Sequence, residues 1–170
     1  MIKDVMQGRT IGSSLLGELS SSAEKSSRGR QHFNLHRSFQ DPCQRLLNAI
    51  SRNSYIPPHR HAMDGKTETL IALRGAFALM TFTDRGEVQK IERFASEAFS
   101  DGNGVDLLGV EVFPETWHTV IALADNSVLL ELKPGPFNPE AAKELAHWAP
   151  GEHDEGANDY FCYLRSLIYP

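Results

Sequence analysis

The chain has 170 residues, 41% hydrophobic and 23% charged, with a formal net charge of −5. That length suits one domain with a sizeable core. The acidity speaks against a role that needs a basic face, so no nucleic-acid partner is expected. No apolar run approaches the ~20 residues of a membrane span, and no signal-peptide apolar region follows the start. Cys43 and Cys162 stand far apart without C-x-x-C spacing, which reads as a reduced, cytoplasmic protein with no disulfide framework and no membrane association.

Residues 1–33 read as an N-terminal helical and linker segment. Leu15, Leu16 and Leu19 fit one side of a short helix that Ser13 or Ser14 would cap, and the serines at 20–22 and 26–27 read as a connector. In the main domain, placed at 34–150, the stretch from Asp41 to Ile50 looks like a helix start. Asp41 would cap it, Pro42 would take the first position, and Cys43, Leu46, Leu47 and Ile50 form an i, i+3, i+4, i+7 stripe. From Tyr55 onward the pattern changes to short strands between turn signals. Thr69 to Phe82 is broken at Arg74-Gly75, Asp84-Arg85-Gly86 is a hairpin turn before Glu87 to Phe94, and Asp101 to Gly104 is a second turn before Val105 to Phe113. Thr119 to Leu123 and Ser127 to Lys133 form a further hairpin around Ala124-Asp125-Asn126. Strands at such regular spacing predict an all-β sandwich or barrel. Asn138-Pro139-Glu140 predicts a second helix with Ala141, Leu145, Trp148 and Ala149 on one side, stopped by Pro150. The tail at 151–170 is apolar and aromatic from Tyr160, and is expected to dock on its own domain or on a second subunit.

Chemistry concentrates in Pro57-Pro58-His59-Arg60-His61 and Pro114-Glu115-Thr116-Trp117-His118. Side chains alternate along a strand, so His59 and His61 share a face while Arg60 points away. Neutral imidazoles converging on one face suit a divalent metal. Glu68 opens the next apolar run and His118 sits in the strand-like Trp117 to Leu123, which completes a set of three imidazoles and one carboxylate. Gly75 would supply a positive φ or a tight packing position. His32, His147 and His153 read as ordinary surface or core histidines, and no G-x-S-x-G or paired Cys/His supports a nucleophile.

His59-x-His61, Glu68 and Gly75 resemble the first motif of the cupins, and Pro114 to His118 resembles the second. Within the cupins the chain is similar to the WbuC-type metalloproteins, through Asn34-Leu35-His36, Gln44 to Ala49, Tyr55 to His61, Trp117-His118-Thr119, Leu132 to Phe137 and Trp148-Ala149-Pro150. The resemblance implies a mainly β fold, a single cupin jelly-roll β-barrel with flanking N- and C-terminal helices. It also implies one divalent metal, Fe, Mn, Zn or Ni, bound by His59, His61, Glu68 and His118. Six residues separate His61 from Glu68, more than the motif's usual spacing, which makes Asp64 an alternative carboxylate ligand. The second motif lacks its glycine and is one residue short. His36 lines the pocket or satisfies a buried backbone group. Tyr55, Phe77 and Glu131 face the interior or belong to packing, and Glu131, between Leu130 and Leu132, needs a partner. Arg45 either reaches the pocket mouth as an anion anchor or covers the surface.

The expected function is a metal-dependent enzyme, an oxygenase or isomerase, acting on a small polar molecule. The substrate class is a sugar or sugar nucleotide of surface-polysaccharide synthesis, with Glu131 moving a proton. The alternatives are a non-catalytic module binding metal or a small ligand, favoured by a closed tetrahedral zinc, and a metal-free epimerase with a histidine base. The apolar tail and an open sheet edge also suggest a homodimer.

Overall fold

Alternation along each strand decides which side chains meet in this molecule. A computed structural model describes residues 9–61, 65–100, 104–139 and 143–168. Helix α1 (Ser13–Lys25) precedes strands β1 (Arg30–Asn34), β2 (Cys43–Ile50), β3 (His59–Arg60), β4 (Glu68–Arg74), β5 (Ala76–Phe82) and β6 (Val88–Ala95). A short helix α2 (Glu97–Ser100) leads to β7 (Gly109–Val112), β8 (Trp117–Ala122), β9 (Ser127–Pro134), β10 (Glu144–Leu145) and helix α3 (Ala157–Ser166). The strands form two five-stranded sheets, ordered β1-β2-β9-β4-β7 and β10-β3-β8-β5-β6. Pairing between neighbouring strands is antiparallel. This is the mainly β jelly-roll sandwich with flanking helices that the sequence predicts.

Three apolar layers follow from the alternation. Between the sheets lie Ile50, Leu70, Ala72, Phe77, Leu79, Phe94, Val120 and Leu129. Outside the first sheet, Leu47, Ala49 and Val128 meet Leu16, Leu19 and Ala23 of α1. Outside the second, Ala78, Met80, Phe82 and Ile121 meet Phe161, Leu164 and Ile168. The apolar tail therefore docks on its own chain, with Leu164 wholly buried. Tyr169, the last aromatic of that reading, lies outside the described residues.

Two predicted helices are corrected. The stretch from Cys43 to Ile50 is strand β2, because it pairs along its length with β9 and over five residues with β1. Adjacent Leu46 and Leu47 serve its two faces, and tertiary pairing overrides a helix-like stripe. Asp41 accepts backbone N–H groups from Arg37 and Cys43 in a turn, where a helix cap was expected. In the segment read as a second helix, Glu144 and Leu145 are extended beside Arg60 and His59, and Trp148 packs 5.2 Å from the Phe82 ring and 6.1 Å from Trp117. Ala141 of that reading lies outside the described residues. Helix α1 is present, but its N-cap is Gly12 and no serine side chain caps it.

Gly75 joins β4 to β5 at φ +71°, where an added Cβ would overlap Ser127. Among the described residues, no helix is long and apolar enough to cross a membrane.

Candidate metal centre

The polar site grows out of the same strand faces that build the inner core. Ile50, Leu70, Val120 and Leu129 form an apolar floor, and one step of two residues along each chain reaches Asn48, Glu68, His118 and Glu131. These groups line a cavity of about 230 Å³, together with His59, His61, Lys133, Arg30, Phe137 and Lys143.

Pro57 and Pro58 feed β3 in extended form, and the register sets His59 directly opposite His118. The two ring centroids lie 4.4 Å apart, with His61 5.3 Å from His59 and 5.5 Å from His118. One ring nitrogen from each histidine falls within 4.8 Å of the others. Arg60 points to the opposite face, over the Trp117 ring at 4.3 Å and bound by both oxygens of Glu144.

Two backbone carbonyls orient the rings. The Nδ1 of His59 lies 3.0 Å from the Pro57 oxygen, and that of His118 lies 2.8 Å from the Thr116 oxygen. With Nδ1–H donating there, the Nε2 lone pairs turn inward. Burial, followed by the neighbouring His118, Lys143 and His61, pushes the His59 pKa well below its ordinary value. Burial also pushes His118 down, against the opposing pull of Thr116 and Glu68. Both imidazoles are held neutral, the form that ligates a metal.

Glu68 supplies the carboxylate. Its Oε2 lies 3.1 Å from the His61 Nε2 and 3.9 Å from the His118 Nε2. Its Oε1 accepts from Lys133 Nζ at 2.9 Å, and the same ammonium donates to Glu131 at 2.9 Å. Burial opposes ionisation of Glu68, but the His61 contact and the Lys133 charge hold it well below the usual carboxylate range. Burial, then the charge of Glu68, pushes Glu131 up despite Lys133. Burial works against the charge on Lys133, yet Glu131 and Glu68 hold it above its usual range. Three imidazoles, two of them held neutral, around one ionised carboxylate fit a divalent cation.

The other residues singled out by sequence fall in different places. Glu131 lines the cavity, and its partner is Lys133. His36 lines a neighbouring cavity of about 310 Å³ that shares Glu131, Lys133 and Phe137 with the first. Its Nδ1 sits against the Arg45 backbone. Tyr55, Phe77 and Arg45 do not line the cavity that holds the histidines. The Tyr55 hydroxyl donates to the Pro150 carbonyl under α3, and Phe77 stacks on Phe94 in the inner core. Arg45 lies on the outward-facing parity of β2, 3.9 Å from Asp41. Asp64, the alternative ligand, lies outside the described residues. Lys133, Lys143, Asn48 and Arg30 were not anticipated. Lys133 had a signal: two residues beyond Glu131 on one strand, it must share its face.

The model of a family described as a domain of unknown function (DUF6016) matches residues 11–94. No curated protein matches the chain by sequence. Among solved structures, the capsular polysaccharide assembling protein CapF of Staphylococcus aureus is similar at 15% identity and a TM-score of 0.53, over 71% of this chain. The chain spans only 30% of that protein. Protein SO0799 of Shewanella oneidensis is similar at 10% identity and a TM-score of 0.52, over 71% of this chain and 75% of its own. The cupin domain of Schizosaccharomyces pombe Cnp3 aligns at 8% identity and a TM-score of 0.46, over 62% of this chain and 64% of its own. The chain has a jelly-roll fold, with His59, His61 and His118 clustered between its sheets in an arrangement compatible with a divalent metal.

Proposed function

We propose that the chain is a divalent-metal cupin acting as an enzyme on a small polar substrate, with His59, His61, His118 and Glu68 as the metal ligands. The observation that carries this reading is the convergence of three buried imidazoles, two of them oriented by backbone carbonyls, on a buried ionised carboxylate at an open cavity. A bound divalent ion would polarise a carbonyl or hydroxyl oxygen. The chain's own groups would do the rest. Lys133 holds one oxygen of Glu68 and leaves Oε2 toward the histidines, while Glu131, pushed up by burial, is suited to hold a proton beside the substrate. The Asn48 amide and the Glu131 carboxylate offer donors and acceptors for hydroxyl groups, which supports a sugar or sugar nucleotide as substrate class.

Elemental analysis of protein purified without an affinity tag or added metal tests the site. We expect about one equivalent of iron, manganese, nickel or zinc per chain, lost in His118→Ala and in the His59→Ala/His61→Ala variant. Full metal content in those variants would sink the proposed ligand set.

We also propose a homodimer. The docked tail no longer supports it, but β7 is the last strand of its sheet, and Leu107, Leu108 and Phe113 beside it are exposed.

A further inference from the structure

The ionised side chains along the cavity wall fall into two closed groups and one open one. The Arg30 guanidinium is engaged at both terminal nitrogens: it donates to both oxygens of Glu152 at 2.7 Å, to Ser54 Oγ, and to the carbonyls of Arg28 and Tyr55. Lys133 is held between Glu68 and Glu131. Lys143 lines the same cavity, yet among the described residues no carboxylate lies within ion-pair distance of it and no acceptor bonds it.

Two cations and two carboxylates act on Lys143, and the cations act more strongly. Burial, then the charges of Arg30 and Arg28, push its pKa down, while Glu152 and Glu131 oppose from beyond ion-pair reach. Its charge is felt in turn at His59 and His118. The wall's charges follow from these groupings. Arg30 cancels Glu152, Lys133 leaves at most one negative charge over from Glu68 and Glu131, and Lys143 offsets that charge. A divalent cation on the histidines would leave the cavity with at least two positive charges in excess. Ammonium groups in such surroundings favour an incoming anion.

We propose that the cavity takes a small substrate bearing an oxyanion, a carboxylate or a phosphate, and that Lys143 holds that group. The inference rests on the reading of this cavity as the substrate site and narrows it from a polar ligand to an anionic one. At about 230 Å³ the cavity admits a small molecule, since sites for drug-sized ligands run from roughly 300 to 1,000 Å³. Part of Lys143 stays open to solvent although neighbouring atoms crowd its ammonium, whereas the other two cations are largely buried.

Calorimetric titration with inorganic phosphate and, separately, with malonate at constant ionic strength tests the assignment. The samples are the wild-type chain, Lys143→Gln and Lys143→Arg, each with its metal content measured. We expect saturable binding of one anion by the wild type, at least about tenfold weaker in Lys143→Gln. Binding should be restored in Lys143→Arg, with equal metal in all three. The anion that binds identifies the oxyanion. Equal affinity in Lys143→Gln, or no binding of either anion by the wild type, overturns the assignment. Wild-type protein that holds no metal yet binds the anion through Lys143 overturns the metal reading and upholds the anchor.

Discussion

Lys133 is the residue on which the electrostatics of the cavity turn. Its ammonium lies 2.9 Å from a carboxylate oxygen of both Glu68 and Glu131, and all three side chains are largely buried. Two carboxylates sharing one region of low dielectric repel each other, so the cation between them lets Glu68 stay ionised beside the histidines. Removing one partner of a buried ionic group leaves the others uncompensated. Lys133→Met is therefore expected to lower stability by about 3–5 kcal/mol in urea unfolding. Adding Glu131→Gln to that variant should recover part of the loss, because one of the two stranded charges is gone. A loss in the double variant equal to the sum of the two single losses would show that the contact carries no coupling. The neighbouring Glu131 was legible in the sequence as a carboxylate in need of a partner. The partner was legible too, for a reader who followed the two-residue period one step further.

At the scale of elements, the strand that opens the first sheet is tied to the segment leading into the last helix. Arg30 of β1 binds Glu152 through two hydrogen bonds of 2.7 Å, and Arg28 adds a third contact at 3.1 Å. Burial raises the Glu152 pKa, but the Arg30 hydrogen bonds and charge, with Arg28, outweigh it and leave the carboxyl below its ordinary value. A group whose folded pKa is depressed contributes stability above its unfolded pKa and loses it as pH falls through the folded one. Glu152→Gln should thus be less stable than wild type by about 1–3 kcal/mol near neutrality. The difference should shrink as pH falls below the ordinary glutamate value of about 4.3. Unfolding curves at several pH values measure it, and a gap that stays constant into acid would rule out a charge-based tie. The same scale explains why β2 escaped a reading by periodicity. Its residues satisfy helical spacing equally well, and only hydrogen-bonding to β1 and β9 on both sides selects the extended form.

For the whole molecule, both sheets have their outer faces covered, one by α1 and the other by α3 with the segment around Trp148. What stays open is an edge. Leu108 and Phe113 are 51% and 65% exposed on either side of β7, and an apolar sheet edge invites pairing with another chain. Sedimentation equilibrium should show a dimer for the wild-type chain and a monomer for Phe113→Glu, without loss of bound metal. A wild-type monomer at every concentration tested would refute the dimer.

Local rules made much of this protein readable. Alternation of period two sets His59 and His61 on one face, turn chemistry separates β4, β5 and β6, and a compact run of strands allows a sandwich but hardly a helical bundle. These features depend on residues close together in the chain. The placement of Tyr55, Phe77 and Arg45 away from the cavity, of Lys143 at it, and of Glu144 as a strand partner depends on which distant segments pair and in which register. A shift of one residue in pairing exchanges the two faces of a strand. The sequence by itself therefore determined the type of fold and the identity of the converging histidines, while the composition of the cavity around them was decided by long-range register in the tertiary structure.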